Sequence, residues 1–540
     1  MTRSAHGGAC RLAATAAAAC LVLLASCASR AARPETPRVA AAPQTPAAPA
    51  APAAPAAPAA VAAAAPPGRG AESAPGREAG VRGRPSPSVE GDAYLKAALA
   101  DYRCEILKNG AALAVERRPG QRNAAARIVL ARDGREEGSL AGYDALALVA
   151  ATRSVSGKGI SLTLRLEDWD EIALVITCPP ERMADSLGLV AKALASPAFA
   201  NEDFDASLRE ARIAERKDEG DPFVRAQAEL VAARYRGSPR SLPPIGTAAS
   251  LASATRDKVT RYWSERFSAS RLSVVVVGDF EPEALIGGLK GAFNALPAGK
   301  SDRGPDDKGA AASAAAEAAG SSGAWFKALA FSGMPGQALV RGEFEAPESP
   351  SPDYPAMAVA LAALDDLLLE ALRAAGLPNR TALPREIGTK LSLAASPTAS
   401  LVVYGAADPA AAKEAIDGAI ADVAGGRCLD PASAGGALAS LGACLEAYKS
   451  RAIASAYAGS ASSEGMAARI AQGLTSGGDG TALFRLAARI REVKAEDVAR
   501  VAKQRLLEGK AAWVALGDPE LVLGLSPAAF TSRKAAAPKP

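Results

Sequence analysis

The chemistry open to this chain is limited first by a residue type that is almost missing. There is a single histidine, His6, in 540 residues. A Ser-His-Asp arrangement needs an imidazole to take the proton from the hydroxyl, so none can be assembled further along the chain. Paired histidines on one helix face, the usual nitrogen ligands of a hydrolytic zinc, are excluded on the same ground. No Gly-x-Ser-x-Gly elbow occurs, and Gly157-Lys158 lacks the upstream glycine of a phosphate loop, so it reads as a turn. Seven cysteines are present, of which Cys104, Cys178, Cys428 and Cys444 lie beyond the N-terminal segment. Their spacing is too wide for a zinc ribbon. Basic and acidic residues nearly balance, 62 against 58, and no basic run is interleaved with aromatics. A nucleic-acid partner is therefore not expected.

One modification site does stand out. Arg3 and Arg11 accompany an apolar stretch from Leu12 to Leu24, the basic and hydrophobic parts of a secretory signal, too short for a stable membrane span. Leu24-Ala25-Ser26-Cys27 follows and resembles the lipobox cut by the bacterial lipoprotein-processing peptidase. The expectation is cleavage after residue 26, which discards His6, and a diacylglycerol on the Cys27 thiol. Lipid is then the anchor to a membrane of the cell envelope. Ala28 and Ser29 differ from the aspartate that retains lipoproteins at the inner membrane in some bacteria, which points to the outer membrane, facing the periplasm or the outside. An exported chain lives where disulfides persist. Pairing within each half, Cys104 with Cys178 and Cys428 with Cys444, is favoured among three connectivities, with buried free thiols as the alternative.

The elements that would position a site begin after a long spacer. Residues 27–90 include an Ala-Pro tract, Ala42 to Pro67. Proline fixes φ and removes donors, so this segment is expected to be a disordered, extended tether. At about 3.1 Å per residue it could stand the globular part roughly 100 Å or more from the lipid. Length suggests two or three domains. Residues 91–296 form the first. Tyr102–Leu107 and Ala112–Glu116 read as strands around Asn109-Gly110, and Ala126–Ala131 as another apolar run. Ile160–Leu166 and Ile172–Cys178 read as a hairpin with one buried face. Met183, Leu187, Val190 and Leu194 recur at helical spacing, a charged helix spans about Glu202 to Glu219, and Leu272–Val277 is a fully apolar strand. Residues 297–324 are Gly/Ala/Ser/Asp-rich and read as a linker. The second domain runs over 325–525, and composition leaves 526–540 as a disordered tail.

An internal repeat ties the two domains together. Arg256-Asp257-Lys258-Val259, Arg261 and Arg266 lead to Val274–Asp279. In the second half Ala495-Glu496-Asp497-Val498, Arg500 and Arg505 lead to Trp513–Asp518. Val259 to Gly278 and Val498 to Gly517 span the same 19 residues. Each copy is a helix with an acidic start followed by a buried strand, so the fold class is α+β in two homologous domains.

With these pieces in place, residues 100–520 resemble the insulinase/pitrilysin family of zinc metallopeptidases, which includes the mitochondrial processing peptidases. The resemblance is carried by Leu107-Lys108-Asn109-Gly110, by Phe199 and Phe204 ahead of Glu215, and by Tyr235-Arg236-Gly237-Ser238-Pro239. Pro244-Ile245-Gly246-Thr247 and Val276-Val277-Gly278-Asp279 extend it. In the second domain Asp353, Ala356 and Leu372-Arg373-Ala374-Ala375-Gly376-Leu377 are similar to family segments. The resemblance implies two domains, each a mostly antiparallel sheet packed with helices.

The family's catalytic residues are where this chain departs. Active relatives hold zinc with an inverted His-x-x-Glu-His helix and a distant glutamate. Aligned on Gly142, that motif falls on Ala145-Leu146-Ala147-Leu148-Val149, so Ala145, Leu148 and Val149 stand where two ligands and the general base are expected. Glu215 resembles the third-ligand position and is left vestigial. Arg373 resembles an arginine that holds the substrate backbone, and it could contact a substrate or partner, but Pro378-Asn379 occupy the place of the accompanying tyrosine. No metal and no other cofactor is expected. The reading is a membrane-anchored, catalytically inactive insulinase-like homologue that binds a peptide or a partner subunit, an active family member being one candidate. The alternatives are a metallopeptidase with an altered metal site and an envelope scaffold lipoprotein.

Overall fold

The computed structural model describes residues 93–132, 138–156, 158, 160–166, 169, 171–298, 325–375, 387–391, 397–430, 436–477 and 480–531. Cys27, the Ala-Pro tether and nearly all of the linker lie outside the described residues. No described helix is long and apolar enough to cross a membrane.

The first half opens with helix α1 (Ala93–Ala100), then strands β1 (Tyr102–Ile106), β2 (Ala112–Arg117) and β3 (Ala124–Ala131). Helix α2 (Tyr143–Ser156) leads to the hairpin β4 (Leu162–Arg165) and β5 (Glu171–Cys178). Helices α3 (Pro180–Ala195), α4 (Asn201–Glu219), α5 (Pro222–Arg234) and α6 (Arg256–Arg266) follow. Strand β6 (Leu272–Gly278) and helix α7 (Pro282–Asn294) complete it. The expected helical spacing holds, since Met183, Leu187, Val190 and Leu194 are all buried on α3.

The second half repeats this order with β7 (Trp325–Ala330), β8 (Ala338–Glu345), α8 (Asp353–Ala374), β9 (Ile387–Leu391) and β10 (Thr398–Ala406). It continues through α9 (Pro409–Ala424), β11 (Arg427–Leu429), β12 (Leu438–Ser440), α10 (Leu441–Ala456) and α11 (Ser463–Gly477). Helices α12 (Ala482–Arg491) and α13 (Ala495–Val501), strand β13 (Ala511–Gly517) and helix α14 (Pro527–Thr531) end it.

The sheets run β1-β2-β6-β3-β5-β4 and β7-β13-β8-β10-β9. Without β1, the two orders are the same, and so are the directions. The β2–β6 and β7–β13 pairs are parallel, and every other neighbouring pair is antiparallel. The two homologous α+β domains expected from the sequence are therefore present.

The repeated Gly-Asp ending of β6 and β13 has one physical role in both halves. A Cβ on Gly278 would meet Ala124 Cβ at 2.6 Å, and one on Gly517 would meet Gln337 O at 2.3 Å and Ala338 Cα at 2.5 Å. Only glycine lets the neighbouring strand approach so closely. The next residue then clips the turn ahead of that strand. Asp279 accepts from Gly120 N at 2.9 Å, and Asp518 accepts from Gly336 N at 2.6 Å.

Alternation along the central strands explains how the halves join. On β6, Val274 and Val276 enter the first core while Val275 and Val277 face the other way. On β13, Trp513 and Ala515 enter the second core while Val514 and Leu516 face the other way. Each outward face is covered by a helix from the opposite half. Met466, Ala467, Ile470 and Ala471 of α11 cover the first sheet, and Ala226 and Leu230 of α5 cover the second. Burying Met466 and Ile470 alone is worth about 1.5–3 kcal/mol each. The exchange makes the halves a single packed body.

An arginine, buried in the first half and half-buried in the second, sits at the same register in each outward face. Arg127 pairs across from Val275, and Arg341 from Val514. Arg127 binds Glu171 at 3.2 Å, whose other oxygen accepts from Thr475 of α11 at 3.3 Å. Arg341 binds Gln227 of α5, Glu343 at 3.0 Å and Ser400 at 3.5 Å.

Two expectations need correction. Cys428 and Cys444 form a disulfide, but Cys104 and Cys178 are thiols. Cys104 lies on β1 and Cys178 on β5, four strand spacings apart in the sheet order. At about 4.8 Å per spacing that is roughly 19 Å, far beyond the ~7 Å limit between Cα atoms of a disulfide. The tail is also shorter than composition suggests. Within 526–540, α14 buries Phe530, whose ring stacks on Phe326 at 4.2 Å and meets Trp513 edge-on at 6.3 Å. One aromatic among alanines and prolines is enough to order that turn, because a matching apolar slot waits for it. Residues 532–540 lie outside the described residues.

Candidate functional site: an apolar pocket at the metal-motif helix

Helix α2 starts where two glycines touch. Gly142 has φ +81°, and a Cβ there would meet Ile245 O at 2.4 Å and Gly246 Cα at 2.5 Å. Gly246 is pinned in turn by Thr247, which caps the short helix Ala248–Ser253 through a bond from Ser250 N at 3.1 Å. The first turn of α2 is fixed from beneath. Asp144 is buried against Arg271, and Tyr143 packs edge-on to Tyr262 at 5.6 Å. An acidic side chain there also suits the positive end of the helix.

The partner helix, α4, is fixed as firmly. Phe199, at its entry, adopts φ 43° and meets the Trp263 ring at 6.4 Å, while Phe204 is buried one turn in. A non-glycine residue in that region is uncommon, and the aromatic packing holds it there.

Between α2, α4 and the hairpin β4–β5 lies a pocket of about 230 Å³. From α2 come Ala145, Leu146, Val149, Thr152, Arg153 and Ser156. From α4 come Ser207, Glu210, Ala211 and Ala214, and from the strands Leu162, Leu164 and Leu174, with Ile245 closing one side. Residues three and four apart share a helix face, so both helices direct one stripe at the cavity. At its mouth Arg153 and Glu210 form a two-pronged ion pair, with N–O distances of 2.8 and 2.9 Å. Hydrogen bonding from Arg153 holds the Glu210 carboxyl below the usual range.

The sequence-derived positions fall here as follows. Ala145 and Val149 line the pocket. Leu148 does not; it is wholly buried in the first core. Glu215 is buried on α4, but the pocket is lined by its neighbour Ala214, about 100° round the helix. Arg373 stands far along the chain on the last turn of α8, exposed and paired with Glu370 at 3.6 Å. Such a surface pair contributes little to stability. Pro378 and Asn379 lie outside the described residues.

Zinc, which the family resemblance implies for active relatives, does not fit this lining. Ala145, Val149 and Ala214 present only carbon, and a zinc site needs nitrogen, sulfur or oxygen donors. Among the described residues no group of three or more His, Cys, Asp or Glu is placed to hold a metal ion. Sequence reasoning missed Arg153 and Glu210, since Glu210 sits in a charged helical stretch and Arg153 near the end of an apolar one, with nothing to pair them. Arg127 could have been noticed, as the one charge inside the apolar run 124–131.

No family profile matches the sequence, and no curated protein matches it. Solved structures do. A chain of Complex III2 from Candida albicans with Inz-5 bound superposes with a TM-score of 0.63 at 14% identity, over 78% of this chain and 96% of that one. The M16 peptidase inactive domain from Pseudomonas fluorescens gives 0.58 at 15% identity, over 77% and 98%. The first half of the periplasmic protease PqqL from Escherichia coli gives 0.57 at 13% identity, over 80% and 95%. Against the whole of PqqL the match spans 49% of that protein. These likenesses define the class of fold, the two-domain M16 or insulinase-like architecture. In this chain the part that matches spans about half of PqqL, and positions 145, 148 and 149 of α2 carry alanine, leucine and valine.

Proposed function

We propose that this protein is a lipid-anchored, non-catalytic member of the insulinase-like group, a binding subunit displayed in the cell envelope. The observation that carries the reading is the lining at α2 and α4, where Ala145, Val149 and Ala214 offer carbon to the place at which active relatives activate water. With no imidazole and no set of metal donors at those positions, we read the pocket as one that holds rather than cleaves. The anchor is lipid on Cys27, with the 27–90 segment as a spacer, and the outer membrane is the favoured address.

The partner we favour is a second two-domain chain of the same fold, with a peptide bound between the two. Two points support it. The structural likeness to PqqL spans half of that protein. Within this chain, the sheet faces that look towards each other are already covered by the exchanged helices α5 and α11. The α2–α4 pocket lies on the other side of the first sheet, with the helices of the first core. It is left for something outside the chain. Cross-linking and extraction of the lipidated protein from its native membrane tests this. Recovery of a second insulinase-like chain in stoichiometric yield is expected, and recovery of a monomer alone would contradict it. Arg373→Ala, at an exposed position, is expected to weaken that capture if α8 contributes to the contact.

A further inference from the structure

The loop between α10 and α11, residues 457–462, belongs to the second half but rests on the end of β2 in the first. Two polar atoms are stranded at that seam. Glu116 Oε2, on β2, and Ser460 Oγ, in the loop, are buried with no hydrogen-bond partner among the described residues. Both side chains belong to residues more than nine-tenths buried. Arg118 joins the two. Its Nε stands 3.4 Å from Glu116 Oε2, while its Nη1 donates to Ser460 O at 2.7 Å and Ala461 O at 3.3 Å. We propose that Glu116 and Arg118 form a pH-operated latch, which holds the α10–α11 loop on the first sheet in acid and lets it lift near neutral pH.

The clasp is built from the first half. Arg118 N donates to Gly278 O at 2.7 Å, so the arginine is presented from the paired ends of β2 and β6. Just beyond the loop, Ser463 Oγ donates to Asn123 O at 3.1 Å and Glu464 meets Arg165 of β4 at 2.9 Å. The latch therefore secures the start of α11, the helix that covers the first sheet. Ionisation of Glu116 works against it. A protonated carboxyl tolerates a dry seam, whereas a carboxylate needs donors that the closed seam does not give to Oε2. Water supplies them once the loop lifts. Burial raises the Glu116 carboxyl to about 6, Arg118 opposes, and Asp101, in the turn ahead of β1, adds to the rise. The other neighbours bring little charge. Tyr102 of β1 lies directly across, Val277 of β6 lies alongside, and Phe484 of α12 packs on Tyr102 at 5.6 Å. Arg117, next on β2, is taken up by Glu281 at 2.8 Å, as Glu464 of α11 is by Arg165. A carboxyl raised in the closed state favours closure fully below 4.5, and that preference is lost as pH rises through 6.

Hydrogen exchange on the full-length protein, read by mass spectrometry from pH 4 to 7.5 and corrected for the intrinsic pH dependence, tests the latch. The amides of Tyr457, Ala458 and Ser460 are hydrogen-bonded at the end of α10 and in the loop. They should exchange roughly 20-fold faster at pH 7.5 than at pH 4, the ratio set by a carboxyl at about 6 when closed and 4.5 when open. Glu116→Gln, uncharged and of similar shape, should flatten that dependence. Glu116→Leu serves where the glutamine variant fails to fold. Arg118→Met, which loses the clasp and keeps the stem, should speed exchange at both ends of the range. The turn Phe331–Gln337, in the second half, should keep one corrected rate throughout. Loop exchange that ignores pH, a dependence that survives both Glu116 variants, full protection in Arg118→Met, or an equal change in the 331–337 turn would overturn the proposal.

Discussion

The two halves of the chain share a topology, a Gly-Asp clip and an arginine at one register, yet differ in what surrounds them. In the first half Arg127 binds the carboxylate of Glu171, with both side chains almost wholly buried. In the second, Arg341 is shared among Gln227, Glu343 and Ser400. The helix pair α2–α4 leaves a pocket, whereas its counterpart α8–α10 is linked by Tyr448 and Arg451 to Asp366 and stapled nearby by Cys428–Cys444. One half is built around an opening and the other around cross-links. A repeat preserves the parts that the fold needs and frees the rest to diverge.

The sharpest way to break this comparison is to remove each arginine's carboxylate. Glu171→Ala removes the carboxylate from an almost wholly buried arginine and should cost about 3–5 kcal/mol in chemical denaturation. Glu343→Ala should cost less, because Gln227 and Ser400 still accept from Arg341. Equal losses would refute the claimed asymmetry. The disulfide comes next. It joins residues 16 apart, and replacing Cys428 and Cys444 by alanine should cost about 3 kcal/mol. Cys104→Ser on β1 should leave the melting temperature unchanged.

The Gly-Asp clips separate on a finer scale. Gly278→Ala and Gly517→Ala should each cost about 1–3 kcal/mol through overpacking. Gly517→Ala should be the worse, since its added atom meets backbone at 2.3 Å rather than a side-chain carbon at 2.6 Å. The smallest contrast is one of pH. Glu116 on β2 pairs across from Val277, and Leu329 on β7 takes the same register against Leu516. Burial pushes the Glu116 carboxyl up to about 6 from 4.5, with Arg118 opposing. A carboxyl whose folded value is raised destabilises once ionised. Stability should therefore fall by about 2 kcal/mol as pH rises from 4.5 to 6. Glu116→Leu, which copies the second half, should abolish that slope in pH-dependent melting curves.

Much of this architecture could be read from the sequence for identifiable reasons. The β6 and β13 repeats were visible because Gly278 and Gly517 cannot be replaced where strands approach so closely. The α3 stripe was visible because its period is 3.6. The exchange of α5 and α11 was not. Their apolar faces say that something is covered, and only the outward alternation of Val275 and Val277 against Val514 and Leu516 says what. The partners of Arg127 and Arg341 were hidden because strand periodicity places a residue on a face without naming what it meets. The Cys104–Cys178 pairing went astray because proximity in the sequence order of strands is not proximity in the sheet. At the candidate site, the loss of donors at 145, 148 and 149 was plain, while the pocket they leave depends on Ala214 and on β4.

Whether this chain can cleave a peptide bond is the central question that its α2–α4 lining raises. The direct test is zinc content by plasma emission on the full-length protein purified from its native source, with peptide hydrolysis measured before and after chelation. The lining at α2 and α4 predicts no stoichiometric zinc and no chelator-sensitive cleavage. One zinc per chain, with hydrolysis lost on chelation and restored by added metal, would contradict it.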